Sequence, residues 1–399
     1  MTSPGSPRQP DFSRASRLWT ILSDGLDIPR SYYEEAAERH KSLGEWLCRS
    51  GSAFEKLEPR VHPQGSFRYG TVIRPISGDG SYDLDQVVVI GKLDSRTLSQ
   101  ADLKEMFGDE IAAYAKSHQM LPPEPKHRCW RLHYRGNVSF HIDSVPSVPA
   151  GGATYELLQR QGVTEPWAVR AVAITDDRRH DYQTKGGIWL TSNPRGFARW
   201  FESRAALGRP TAVEKGARAE VEAVPPYAWR TPLQRVIQIL KRHRDVMFAK
   251  APELAPISMI ITNLAAHAYG GEQDIAVALP NIVANMERYV RDQWPKVPNP
   301  THPAEDYADK WRLRTDLPLE VNFRAWMKKV KADVRLLTEG VHDAQVIEAR
   351  FGFRLTAEQE EHIIASRASA VGAPFVQTPK PVTRIESAPK PWGTGPASD

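Results

Sequence analysis

The chain has 399 residues, with 53 Lys and Arg against 48 Asp and Glu, a formal net charge of +5. That length suggests one large two-lobed domain or two domains, and a composition of 41% hydrophobic and 25% charged residues is that of a soluble globular protein. The small positive balance suits an anionic ligand and gives no strong signal for nucleic-acid binding. Two cysteines, Cys48 and Cys129, form no C-x-x-C pair, which excludes a zinc ribbon or disulfide framework and points to a cytoplasmic setting. Met1–Pro10 lacks the apolar stretch of a signal peptide, and no run long enough to cross a membrane occurs anywhere.

In chain order, residues 1–11 read as a disordered lead. Ser31 and Glu34 stand at capping-box spacing, and Tyr33, Ala36, Ala37, His40, Leu43, Trp46 and Leu47 recur at helical spacing, so a helix is expected after Ser31. Residues 59–91 are punctuated by Gly, Pro and Ser. They end in Tyr82-Asp83-Leu84-Asp85-Gln86-Val87-Val88-Val89-Ile90, whose β-branched run reads as a buried strand. A helix is expected over 101–118, and a second strand over 138–145, ended by Pro146 and Pro149. Residues 150–226 read as mixed and loop-rich.

From 231 onward the pattern is helical. Thr231, Pro232 and Gln234 make an N-cap, a first-position proline and a capping-box partner, and Leu233, Val236, Ile237, Leu240 and Met247 line one face. A further helix starts near Ser258 and stops at Gly270-Gly271. Others are expected near 274–291, 303–313 and 317–350. The Pro-, Ser-, Thr- and Lys-rich stretch 371–399 reads as a disordered tail. The expected organisation is therefore α+β: a lead (1–11), a catalytic lobe with N-terminal helices (12–225), a helical lobe (226–370) and a tail, with the ligand site in a cleft between the lobes.

Residues i and i+2 of a strand share a face, so Asp83 and Asp85 present two carboxylates side by side. Bare neighbouring carboxylates repel unless a cation lies between them, and Mg²⁺ takes hard oxygen ligands together with substrate phosphates. Asp143, in the otherwise apolar and small-residue run Phe140-His141-Ile142-Asp143-Ser144-Val145, is the candidate third carboxylate for a pair of metal ions. A D-x-D alone is common, and an Asp near a strand end can simply cap a turn. The signal sharpens through Gln64-Gly65-Ser66 upstream, a glycine that admits close backbone approach to a phosphate and a serine with a hydroxyl and an N–H.

Gln64-Gly65-Ser66-Phe67, Gly70-Thr71-Val72-Ile73-Arg74-Pro75 and Tyr82-Asp83-Leu84-Asp85 together resemble the polymerase beta-like nucleotidyltransferase superfamily. More closely they resemble the bacterial CD-NTases, relatives of cyclic GMP-AMP synthase and the 2'-5'-oligoadenylate synthases. Sixteen residues separate Ser66 from Asp83, a longer spacing than the shortest in the superfamily, with the extra length at 77–81. Leu240–Asp245, Trp189–Phe201 and Asn299–Trp311 also look like segments of that family, so the resemblance spans roughly 40–315.

The resemblance implies a nucleotidyltransferase lobe with a small mixed sheet joined to a helical oligoadenylate-synthase-like lobe. It implies two Mg²⁺ ions, with Mn²⁺ as a substitute, on Asp83, Asp85 and Asp143. It implies a donor triphosphate, from ATP or GTP, held by Gln64, Gly65, Ser66, Lys241 and Ser258, with Asn299 near the nucleobase. It also implies a cyclic di- or trinucleotide product that switches on a separate effector in CBASS-type antiphage defence, with the C-terminal tail as a site for a regulatory or conjugating partner. Lys241 shares a face with Gln234, Gln238 and Asp245, away from the apolar stripe, where a lysine is usually just solvated. Two other readings are a template-free transferase making linear products or modifying an RNA or other acceptor, and a catalytically silent nucleotide-binding regulator.

Overall fold

The computed structural model describes residues 12–76, 81–134, 139–207, 220–227, 230–340 and 343–365. The expected lead, the loop at 77–80 and the tail lie outside these residues. The first half of the chain holds α1 (Phe12–Leu26), α2 (Arg30–Cys48), β1 (Pro59–Gln64), α3 (Gly65–Tyr69), β2 (Tyr82–Ile90), α4 (Gln100–Ser117), β3 (Glu124–Pro125), β4 (Trp130–Tyr134) and β5 (Phe140–Pro149). Then follow α5 (Gly151–Arg160), α6 (Glu165–Ala168), β6 (Val172–Ile174), β7 (Leu190–Ser192) and α7 (Pro194–Ala205). The second half holds α8 (Pro232–Met247), α9 (Ser258–Ala268), α10 (Ile275–Asn285), β8 (Pro298–Asn299), β9 (His302–Asp306), α11 (Lys310–Leu313), α12 (Leu319–Thr338), α13 (Ala344–Phe351) and α14 (Ala357–Ile364). The α+β class and the mixed sheet are as expected.

The sheet runs in the order β1-β2-β5-β4-β3, with β6 on β5 and β7 on β6. β2 and β5 pair parallel and the other strands of the sheet antiparallel. Along β2 the side chains of Tyr82, Leu84, Val88 and Ile90 enter a core shared with Phe107 and Ile111 of α4 and Tyr33 and Leu43 of α2. Val87 and Val89 point the other way and pack with Val172 and Val145. Asp83 and Asp85 belong to this second face, as the two-residue period requires.

A second core gathers α8, α9, α10 and α12 with α1 and α7. Leu18, Trp19 and Leu22 of α1 and Phe197 and Phe201 of α7 are buried in it, so the first half of the chain contributes two helices to the helical layer. The helix start at Thr231 is confirmed: its hydroxyl accepts from the N–H of Gln234, and the Gln234 side chain accepts from the N–H of Thr231.

Several expectations fail for local reasons. The helix expected after Ser31 starts at Arg30 and has no side-chain cap, because its N-cap is Pro29, which has no side-chain acceptor, and Glu34 pairs with Arg30 at 2.7 Å. Pro146 does not end β5: β4 flanks Phe140–Ser144 and β6 flanks Ser147–Pro149, so the proline falls at the changeover, where that edge has no neighbour. Met247 is 41% exposed, because α8 ends there. Residues 303–313 form β9, a turn and α11, not one helix. Asp306 explains this, since its carboxylate accepts from the N–H groups of Lys296, Val297 and Ala308 and folds the segment back on itself. The helix expected over 317–350 is broken between α12 and α13, beginning at Gly340 with φ +106°.

Candidate active site

The parallel register sets Asp85 opposite Asp143, and Asp83 opposite His141. Arg131 of β4 stands opposite Asp143 on its other side. One row across three strands therefore reads Asp85, Asp143, Arg131, all on one sheet face. The three carboxylates differ in state. Asp83 is exposed, with His141 Nδ1 at 3.5 Å and Arg131 Nη2 at 3.9 Å. Asp143 is bidentate with Arg131, Nε to Oδ1 at 2.7 Å and Nη2 to Oδ2 at 2.8 Å. Among the described residues Asp85 has no hydrogen-bond or ion-pair partner. Burial first, then Asp143 and Asp83, push its carboxyl up to about 7.

Gly65 opens α3 at φ +66°, a conformation that disfavours other residues, and a Cβ there would collide with Oδ2 of Asp85. The glycine thus lets the Gln64-Gly65-Ser66 turn lie directly against the acid. α3 closes on Gly70, at φ +64°, and Thr71 N–H donates to the Ser66 carbonyl at 2.9 Å. Gln64 ends β1 opposite Asp85.

A cleft of about 480 Å³ runs from this turn to the helical layer. Gly65, Ser66, Asp83, Asp85, Lys241 and Ser258 all line it, together with Thr71, Arg74, Tyr82, Arg244, Asp245 and Thr262. Six of the nine residues singled out in the sequence meet there. Gln64 and Asp143 do not line it but flank Asp85 on either side in the sheet. Asn299 does not come to the cleft. It is 1% exposed, its amide donates to Glu305 and its carbonyl accepts from the N–H and hydroxyl of Thr301, so it holds the β8–β9 hairpin. The Asn299 side chain, expected near a base, is thus engaged within the hairpin.

Lys241 is not solvated. It is 6% exposed and donates to the Thr71 carbonyl at 2.9 Å. Its helix face carries three companions: Gln234 donates to the Tyr69 carbonyl, Gln238 to that of Val72, and Arg242 to that of Arg74. The polar face of α8 therefore grips the backbone of 69–74, the segment between Ser66 and the carboxylates. Burial, then the Arg244 charge, lower the Lys241 ammonium to about 8. Ser258 is the first residue of α9 and not its N-cap, which is Ile257. Its hydroxyl accepts from Arg244 Nη1 at 3.0 Å, and the same nitrogen donates to the Pro256 carbonyl.

Arg131 and Arg244 were missed in the sequence. Arg131 carries only the weak signal of an alternating Trp130-x-Leu132-x-Tyr134 strand, and its partner is set by register. Arg244 lies within the segment that carried the family resemblance, but nothing in its spacing tells it from a surface arginine.

The donor set is all hard carboxylate oxygen, with one unpaired acid between two others and a glycine leaving room beside it. That fits hard divalent cations. Among the described residues no three His, Cys, Asp or Glu side chains are gathered into a ready cage, and Asp143 is turned to Arg131. An adjacent carboxylate pair beside a Gly-Ser turn, in a cleft capped by a lysine and a serine from another layer, defines a nucleotidyltransferase.

Comparison with known proteins agrees. Residues 59–147, which carry the turn and all three aspartates, match the family described as the cyclic GMP-AMP synthase DncV-like nucleotidyltransferase domain. A c-di-GMP synthase of Roseivirga ehrenbergii is 30% identical over 301 residues, 74% of this chain and 73% of that protein. The cyclic dinucleotide synthase CdnG of Bradyrhizobium diazoefficiens is 25% identical over 328 residues, 76% of this chain and 72% of that protein. The structure of the CD-NTase CdnG of Bradyrhizobium diazoefficiens in complex with GTP superposes with a TM-score of 0.63 at 19% identity, covering 88% of this chain and 99% of that one. The chain belongs to the bacterial CD-NTases, nucleotidyltransferases whose catalysis depends on divalent metal.

Proposed function

We propose that this enzyme joins two nucleoside triphosphates, GTP among them, into a cyclic dinucleotide and releases pyrophosphate. The observation that carries the reading is the meeting of Gly65-Ser66, Asp83, Asp85, Lys241 and Ser258 from both layers in one cleft. One relative is a c-di-GMP synthase and the other a cyclic dinucleotide synthase, CdnG, whose structure was obtained with GTP, which supports a cyclic, guanine-containing product.

Ser66, Lys241 and Ser258 bind the donor triphosphate, with Gln64 and Gly65 shaping the turn that carries Ser66. Asp83 and Asp85 hold the metal ions, and Asp143 completes the set and orients the acceptor hydroxyl. Mg²⁺, with Mn²⁺ as a substitute, would supply charge neutralisation on the triphosphate and lower the pKa of the attacking hydroxyl. The chain's own contribution is positioning and fixed charge: 69–74 is locked by α8, so Ser66 and Lys241 are held before substrate arrives. The product acts on a separate effector in a cytoplasmic antiphage circuit of the CBASS type.

The test is incubation with all four NTPs and Mg²⁺ or Mn²⁺, phosphatase treatment and mass spectrometry, beside Asp83→Ala/Asp85→Ala. Phosphatase-resistant cyclic products made only by the unmutated enzyme are expected. Linear products alone would replace this reading by the template-free transferase. Absence of any product, with cell or phage extract added, would replace it by the silent regulator.

A further inference from the structure

The row Asp85, Asp143, Arg131 contains a cation of its own. Both oxygens of Asp143 accept from the guanidinium, at 2.7 and 2.8 Å, and a charge-assisted fork of this kind is among the strong side-chain pairs. The pair is largely shielded: the Asp143 side chain is 17% exposed and that of Arg131 25%. A carboxylate has further lone pairs. A divalent ion on them would nevertheless sit beside the guanidinium, and like charges at contact distance in a partly desolvated site repel strongly. Ion and guanidinium thus compete for one acid. Among the described residues Asp85 faces no such competitor, Asp83 has only the His141 ring at 3.5 Å, and the 3.9 Å gap from Arg131 Nη2 to Asp83 Oδ1 puts a second acid close to the guanidinium on the same face.

We propose that Arg131 is the resident counter-ion of the catalytic centre: it holds Asp143 until a divalent ion displaces it, and so sets the ion concentration at which the third carboxylate joins Asp83 and Asp85. Arg131 is a positioning residue in this scheme, acting through Asp143. The inference rests on the reading of Asp143 as a metal ligand given above.

The experiment is a Mn²⁺ titration of the full-length, nucleotide-free protein, following the free aqua ion by electron paramagnetic resonance. Wild type, Arg131→Met, Asp143→Asn and the double variant are compared, with urea unfolding to confirm the fold. Removing a competing charge-assisted pair should tighten Mn²⁺ binding by about tenfold in Arg131→Met, and adding Asp143→Asn should erase the gain. Arg131→Lys, which keeps the charge and loses the fork, should fall between. A loosened fold weakens ion binding, so tightening is a readout that a merely structural role does not give. Unchanged or weaker binding by folded Arg131→Met overturns the proposal. If that variant does not fold, Arg131→Lys carries the comparison, and affinity equal to wild type overturns it. Should Asp143→Asn leave Mn²⁺ affinity unchanged in both backgrounds, it is the reading of Asp143 as a ligand that fails. If Asp143→Asn weakens binding while Arg131→Met has no effect, only the counter-ion role fails.

Discussion

The ammonium of Lys241 donates to the carbonyl oxygen of Thr71 across 2.9 Å, joining the helical layer to the segment that links the Gly-Ser turn to the carboxylate strand. The bond places a nearly buried cation in the wall of the cleft, and Gln234, Gln238 and Arg242 beside it on the helix hold the neighbouring carbonyls of Tyr69, Val72 and Arg74. A lysine held in this way cannot swing into solvent, so its charge is already in place for an anionic ligand.

Lys241→Ala should raise the KM for nucleotide by ten- to a hundredfold, in line with loss of one charge-assisted contact of about 1.5–3 kcal/mol, while the kcat falls less. Steady-state pyrophosphate release measures both. Hydrogen exchange should show faster opening of 69–74 in the variant. An unchanged KM would remove Lys241 from substrate binding.

The lowered ammonium also sets a pH dependence. Its folded value of about 8 lies below the ordinary 10.5, so charge is lost as pH rises through about 8 in the nucleotide-free enzyme. Nucleotide affinity should weaken from pH 7 to 9 in wild type and stay flatter in Lys241→Arg, as read by calorimetry. The unfolded chain binds more protons between about pH 8 and 10.5, so this residue opposes folding less as pH rises through that window.

Asp85 has the opposite sign. Its folded carboxyl titrates near 7 against an ordinary 3.8, so the folded state holds the extra proton between those values. The contribution to stability is full below the ordinary value and is lost as pH rises through about 7. The melting temperature of the metal-free protein should fall between pH 5 and 8 more in wild type than in Asp85→Asn, and that variant should make no product at either pH. Parallel melting curves for the two proteins would exclude the shift.

Gly65→Ala combines a left-handed backbone, costing about 1–2 kcal/mol for a residue with a Cβ, with a methyl placed on the Asp85 carboxylate. Product formation should drop by at least a hundredfold, while urea unfolding shows a loss of only that modest size. Near-wild-type activity would show that the Gly-Ser turn does not need to touch Asp85.

Deleting 371–399 should leave product formation in vitro unchanged, because among the described residues all that line the cleft lie between Gly65 and Thr262. A truncated protein that folds, by circular dichroism, yet makes no product would give the tail a direct catalytic part.

Sequence by itself determined what depends on neighbours along the chain. The two-residue period of β2 put Asp83 and Asp85 on one face, Thr231, Pro232 and Gln234 started α8, and Gly65-Ser66 marked the turn, because backbone geometry and local hydrogen bonds decide such features. Reading by spacing failed where a nearby side chain or backbone group claimed the residue instead: Glu34 was taken by Arg30, Asp306 folded its segment into a hairpin, and the Asn299 amide was engaged by Glu305 and Thr301. Only the tertiary structure decided that Asp85, Asp143 and Arg131 form one row, since strand register is a long-range choice made by packing of both sheet faces. The same holds for the polar stripe of α8. Period alone cannot distinguish a solvated face from a buried one, and Lys241 is buried because the carbonyls of 69–74, left without strand or helix partners, need donors.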